Sequence, residues 1–117
     1  MTVAAFIVAA SIAMAANAAS PFDGTYVGVS ATLSGTTTGG RSNSCVQVAA
    51  PPPVTVANGH AEGKWGDQTL QGDVGGDGKL VMHGNLNGRF EGQIDASGAL
   101  KGNYAGYCIY GLVWRRR

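Results

Sequence analysis

The chain has 117 residues, enough for one domain and no more. Eight Lys and Arg against seven Asp and Glu leave a formal charge of +1, which excludes the strong field that gathers nucleic acid or a charged membrane. Nineteen glycines would suggest disorder if they were not interleaved with Val, Leu, Ile, Tyr and Trp; the mixture points to a folded chain with many tight turns.

The first twenty residues, MTVAAFIVAASIAMAANAAS, are an apolar run ending in Ala16-Asn17-Ala18, a small-x-small pattern. Residues 1–18 read as a secretory signal peptide cut after Ala18, although no Lys or Arg precedes the apolar stretch. So Ala-rich a run is marginal for spanning a bilayer, and no stable membrane span is expected after cleavage. The mature domain, residues 19–117, is expected to be exported. An oxidising compartment most simply joins two cysteines as one disulfide, and Cys45 and Cys108 are the two present. A metal pair or reactive thiol would want a CxxC spacing or a helix to lower a pKa, and neither is found.

The first strand signal is DGTYVGVSATL, which alternates Val27, Val29, Ala31 and Leu33 on one face. Between residues 34 and 53 the pattern dissolves into SGTTTGGRSNSCVQVAAPPP, which cannot be a central strand. This is the one long connection expected in the domain, and long loops are often functional. Thr36, Thr37, Thr38, Arg41, Ser42, Asn43 and Ser44 form a candidate binding loop, with Cys45 stapling it near Tyr104, the expected neighbour of Cys108. Asn58-Gly59 then reads as a two-residue turn pairing Val56 with Ala61 and Val54 with Gly63. Gly66-Asp67 turns the strand of Trp65 into the one beginning at Gln68.

Three polar-Gly pairs follow, Asp77-Gly78, Asn87-Gly88 and Ser97-Gly98, with their glycines ten residues apart. Such pairs between alternating runs mark hairpins, because the turn needs a positive φ that Gly adopts freely. Three-residue loops at 76–78, 86–88 and 96–98 set Val74 against Leu80, Gly84 against Phe90 and Ile94 against Leu100. Gln71, Asp73, His83, Arg89, Glu91, Gln93, Lys101 and Asn103 then share the opposite, wet face, with His83 opposite Glu91. Two-residue loops would mix the faces, so loop parity carries the register. A last loop at 105–107 would place Gly102 opposite Tyr110, on a strand that turns Cys108, Tyr110, Leu112 and Trp114 inward.

The count is about eight antiparallel strands with no helical periodicity in the mature chain. An all-β, up-and-down meander is expected, closed or nearly closed into a small barrel, with a two-sheet sandwich as the alternative. Its interior would be filled by Trp65, Met82, Phe90, Tyr104, Tyr110 and Trp114.

Catalytic and metal motifs are absent. Gly78-Lys79 lacks the other residues of a phosphate loop, and no EF-hand, HExxH or GxSxG spacing occurs. Gln71, His83, Glu91 and Asn103 form a candidate polar surface cluster, and a His–Glu pair can move protons. On the wet face of a sheet the ordinary reading is an exposed cross-strand pair. No catalytic residue, metal or cofactor is therefore assigned. The terminal Arg115-Arg116-Arg117 reads as a solubilising end.

FDGTYVG, the NGxA turn, GQIDASG and the closing CxYxLxW strand resemble small exported bacterial β-rich proteins of unknown function. That likeness implies a periplasmic or secreted protein and carries no activity. The opening Gly24-Thr25-Tyr26 resembles the Gly-x-Trp start of calycin barrels (avidins, lipocalins, protease inhibitors), with Tyr where Trp is usual. It implies a small-ligand carrier or inhibitor. The leading expectation is a monomeric, non-enzymatic module that binds a protein or small ligand through the 34–53 loop and adjoining strand ends. An enzyme using His83 and Glu91 is the last alternative.

Overall fold

Apolar and polar residues alternate through the mature chain, and each run ends at a residue able to reverse it. The result, among the described residues, is eight antiparallel strands: β1 (Gly24–Thr36), β2 (Val54–Ala57), β3 (His60–Trp65), β4 (Gln68–Val74), β5 (Lys79–Gly84), β6 (Arg89–Ile94), β7 (Ala99–Ala105) and β8 (Cys108–Arg116). Each pairs with its neighbour in sequence, and β8 pairs back onto β1 to close a barrel. The structure is a computed structural model describing residues 19–37 and 45–117; the signal-peptide assignment, 1–18, lies outside the described residues.

Loop parity sorts the faces as expected, and most pairings hold. Val56 faces Ala61, Trp65 faces Gln68, Val74 faces Leu80 and Ile94 faces Leu100. Asn58 and Gly59 have φ of 53° and 79°, the paired positive values that a two-residue hairpin of matching twist demands.

Three expectations are corrected. The β5–β6 loop is 85–87 rather than 86–88: Gly84 N–H donates to Gly88 O at 2.8 Å, and Asn87 takes the left-handed conformation at φ 71°. In the flanking hairpins Gly78 and Gly98, each at φ 88°, fill that third loop position. Asn tolerates it too, so the reversal sits one residue earlier and Met82, not Gly84, faces Phe90. The β7–β8 reversal sits one step later. Ala105 pairs with Ile109, so Tyr110 faces Tyr104 and Gly102 faces Leu112. Each shift moves a pairing by two positions, which leaves every side chain on its expected face.

The third correction concerns β1. Val27 and Val29 are exposed, at 38% and 56%, while Tyr26 is fully buried. A register shift between Gly28 and Ser30 adds one unpaired residue opposite β8, reversing the alternation so that Ala31 and Leu33 point inward again. The strand also runs to Thr36, three residues into the expected loop.

The interior is filled. Leu80, Met82, Phe90 and Leu100 have no exposed surface, and Leu112 and Trp114 have almost none. Gly92 and Gly102 face each other, and a side chain on either would meet the Phe90 ring and a neighbouring carbonyl. The Phe90 ring meets Trp114 edge-on, with centroids 5.2 Å apart. β2 pairs with β1 only from Gly24 to Tyr26, and the proline-rich segment 45–53 follows the rest of β1. Ala31 N–H donates to Ala49 O at 3.2 Å, and the Trp114 indole donates to Pro52 O at 2.8 Å. Half of the expected free loop is thus part of the barrel wall.

Candidate functional site

Antiparallel pairing gives the barrel two ends, and they differ. At the lower end lie the β2–β3, β4–β5 and β6–β7 turns, with the start of β1 and the end of β8. Here the Asp23 carboxylate accepts three backbone N–H groups, from Ser20 at 3.1 Å, Asn58 at 2.9 Å and Gly59 at 3.0 Å. The Gly59 bond leads in holding the Asp23 carboxyl below the usual range, with Asn58 and Ser20 adding to it against partial desolvation. Tyr26 donates to Phe22 O at 2.6 Å, and Arg116 donates to Pro21 O at 2.9 Å while lying 5.7 Å from the Tyr26 ring centre. The N-terminal segment is stitched across this end as a plug.

The upper end carries the β3–β4, β5–β6 and β7–β8 reversals and the last residues of β1. It is open. A concave pocket of about 310 Å³ is lined by Trp65, Tyr104, Tyr107 and Tyr110, with Asp67, Gln68, Leu86, Val46 and the Cys45–Cys108 disulfide around it. Trp65 lies 5.4 Å from Tyr104 and 4.9 Å from Tyr110, ring centre to ring centre, and the two tyrosines are 6.4 Å apart. These rings touch one another and form a floor. Val46, Leu86 and Tyr107 stand exposed on the rim, at 69%, 61% and 51%.

One polar group at this end is out of balance. Gln68 is 93% buried, since its exposure is 7%. Its Nε2 donates to the Tyr104 hydroxyl, but its Oε1 has no partner among the described residues. Turning the amide over would let Tyr104 donate to Oε1 and leave the N–H groups orphaned instead. Burial pushes the Tyr104 phenol up, against the Gln68 hydrogen bond, which keeps the hydroxyl protonated. An unsatisfied buried carbonyl costs roughly 1–3 kcal/mol, so it asks for a donor.

The residues singled out from sequence fall in three places. Cys45 and Cys108 are joined, and the bridge sits at the pocket edge. Of the candidate binding loop, Thr36 closes β1 opposite Cys108, and Thr37 N–H donates to Tyr107 O at 2.9 Å. Thr38, Arg41, Ser42, Asn43 and Ser44 lie outside the described residues. Both flanks of that segment are anchored at the upper end.

The polar cluster is not the one expected. His83 faces Arg89 rather than Glu91, because the β5–β6 loop is shifted. The Arg89 guanidinium holds Glu91 at 2.7 Å, and Glu91 faces Asn103 across β6–β7. Gln71 faces His83 in register but accepts from His60, whose Nε2 lies 3.2 Å from Gln71 Oε1 and whose Nδ1 lies 3.2 Å from Asp73 Oδ1. Asp73 first, then Gln71, raises the His60 pKa, since imidazolium donates to both. All four cluster residues are exposed on the outer wall. Among the described residues no three His, Cys, Asp or Glu side chains converge as a metal site.

The aromatic mouth was legible only in part. Trp65, Tyr104 and Tyr110 read from sequence as core filling, and Tyr107 as a loop residue; that all four fall at one strand end was the available signal. Comparison with protein-family models, curated proteins and solved structures finds no match.

Proposed function

We propose that the domain is an exported, non-enzymatic binding module that takes its ligand at the upper mouth of the barrel. One observation carries this reading: one end is plugged by Asp23, and the other holds an aromatic, concave floor with apolar side chains standing in solvent around it. Exposed Leu86, Val46 and Tyr107 on a single rim are what a contact surface requires and a merely soluble domain does not. The Cys45–Cys108 disulfide supports export, because such bonds persist in oxidising compartments. Closure of the sheet supports a monomer, since no strand edge is left for pairing. The packed interior argues against a carrier of the calycin kind with its ligand deep in the barrel. His83 faces Arg89 rather than Glu91, and Glu91 is held by the Arg89 guanidinium in a concavity that His83 does not line, which argues against chemistry by a His83–Glu91 pair.

The test is native mass spectrometry of the protein taken from the exported fraction of its own cells. The expected mass is that of residues 19–117 less two hydrogens, plus a passenger that is lost when Tyr107→Ser and Leu86→Ser roughen the rim. Glu91→Gln, on the outer wall, should keep the passenger. A passenger retained by the rim variant and lost from the wall variant contradicts the reading.

A further inference from the structure

The mouth is chemically one-sided. Among the described residues its lining offers four aromatic rings and the Asp67 carboxylate and includes no Lys or Arg, while Gln68 Oε1 lies buried beneath it against Gly84 and Gly88. Every one of those groups receives positive charge or donated hydrogen, and none of them repels a cation. The chain has nine aromatic residues, and four of them, Trp65, Tyr104, Tyr107 and Tyr110, are gathered here. Elsewhere the wall mixes signs, as at the Arg89–Glu91 pair. A neutral apolar site would not need an exposed carboxylate on its rim, and an anion would meet Asp67 with nothing to balance it.

From this juxtaposition we infer that the ligand is an organic cation, an alkylammonium or guanidinium group, held on the aromatic floor with the Asp67 carboxylate beside it. The inference rests on the mouth being the binding end and names what binds there. Ring faces attract a cation through their quadrupole, and methyl groups on an ammonium add apolar contact with Leu86 and Val46. Centroid separations of 4.9 to 6.4 Å leave no slot between Trp65, Tyr104 and Tyr110, so the cation rests on the trio rather than inside it. Tyr107, half exposed, is the wall that stands beside it. A pocket of about 310 Å³ suits a head group of few heavy atoms rather than an extended chain. The same chemistry is presented by a free small ammonium and by a basic side chain on a partner protein.

The mature, oxidised protein is titrated by heteronuclear NMR with choline, with its uncharged carbon isostere 3,3-dimethylbutan-1-ol, and with N-acetyl-lysinamide and N-acetyl-argininamide. Choline or a capped basic residue should shift the Trp65 indole, Tyr107 and the 66–68 amides, at an affinity at least about fivefold above the isostere. Tighter choline identifies a free ammonium, and a tighter capped residue identifies a partner's side chain. Asp67→Asn, on an exposed turn and safe for folding, should erase most of that advantage and leave the isostere unchanged. Equal affinity for choline and isostere at the mouth overturns the cation while keeping the mouth. Shifts confined to Glu62, Asp73 or Glu91 on the outer wall, or none with any probe, overturn the cation as well. The mouth reading fails separately, by the passenger experiment.

Discussion

Asp23 shows how much one short side chain does here. Its two oxygens accept three N–H groups from segments 35 positions apart, and protonation removes that capacity. Because the folded carboxyl titrates below its ordinary value of 3.8, its contribution is complete above the unfolded pKa and is lost as pH falls through the folded one. Asp95 acts with the same sign, held low first by the Ser97 hydroxyl and then by Ala99 N–H. Asp23→Asn should therefore melt lower at neutral pH, and its melting temperature should fall less than that of the parent between about pH 5 and pH 2. Parallel curves would show that the plug is not held by the ionised carboxylate. At the other end Gln68 and Tyr104 are matched by small neighbours. A Cβ on Gly88 would lie 2.3 Å from the Tyr104 hydroxyl oxygen, which explains why this residue is Gly while Asn87 makes the turn.

At the scale of elements, loop parity was the legible part. Three-residue reversals at 76–78 and 96–98 were read correctly because a Gly sits at the left-handed position of each. The β5–β6 loop was misplaced by one because Asn and Gly both accept that conformation, and only contact with Tyr104 decides between them. The bulge at Val29 left no mark, since it answers to closure against β8 and not to local preference. The site was less legible than the strands. Inward rings at Trp65, Tyr104 and Tyr110 could be counted, but which end stays open depends on Asp23 reaching Asn58 and Gly59 across the fold. The glycine rung tests the element-level account. A Cβ on Gly102 would sit 2.1 Å from Glu91 O and 2.7 Å from the Phe90 ring, so Gly102→Ala should cost about 1–3 kcal/mol in urea unfolding. Gly111→Ala, where the nearest atom is 3.8 Å away, should stay within about 0.5 kcal/mol. Equal effects would mean that β6 and β7 do not approach as described.

For the molecule as a whole, closure organises the rest. Pairing of β8 with β1 removes the sheet edges, gives the barrel two ends, and brings Cys108 beside the last residue of β1. The disulfide spans 63 positions, which chain-entropy reasoning values at about 4 kcal/mol, and it ties segment 45–53 to the rim. With residues 20–23 stitched across the lower end and the interior filled, the upper mouth is the aromatic concavity at the end of the barrel, and it is the proposed ligand site. That conclusion stands on the β1–β8 seam. Interstrand NOEs measured together with amide exchange test it most directly. The account predicts contacts between Ala31 and Leu112 and between Tyr26 and Arg116, with slowly exchanging amides along the whole seam. Rapid exchange along β1 with no contacts to β8 would describe an open sheet, and an open sheet has no mouth.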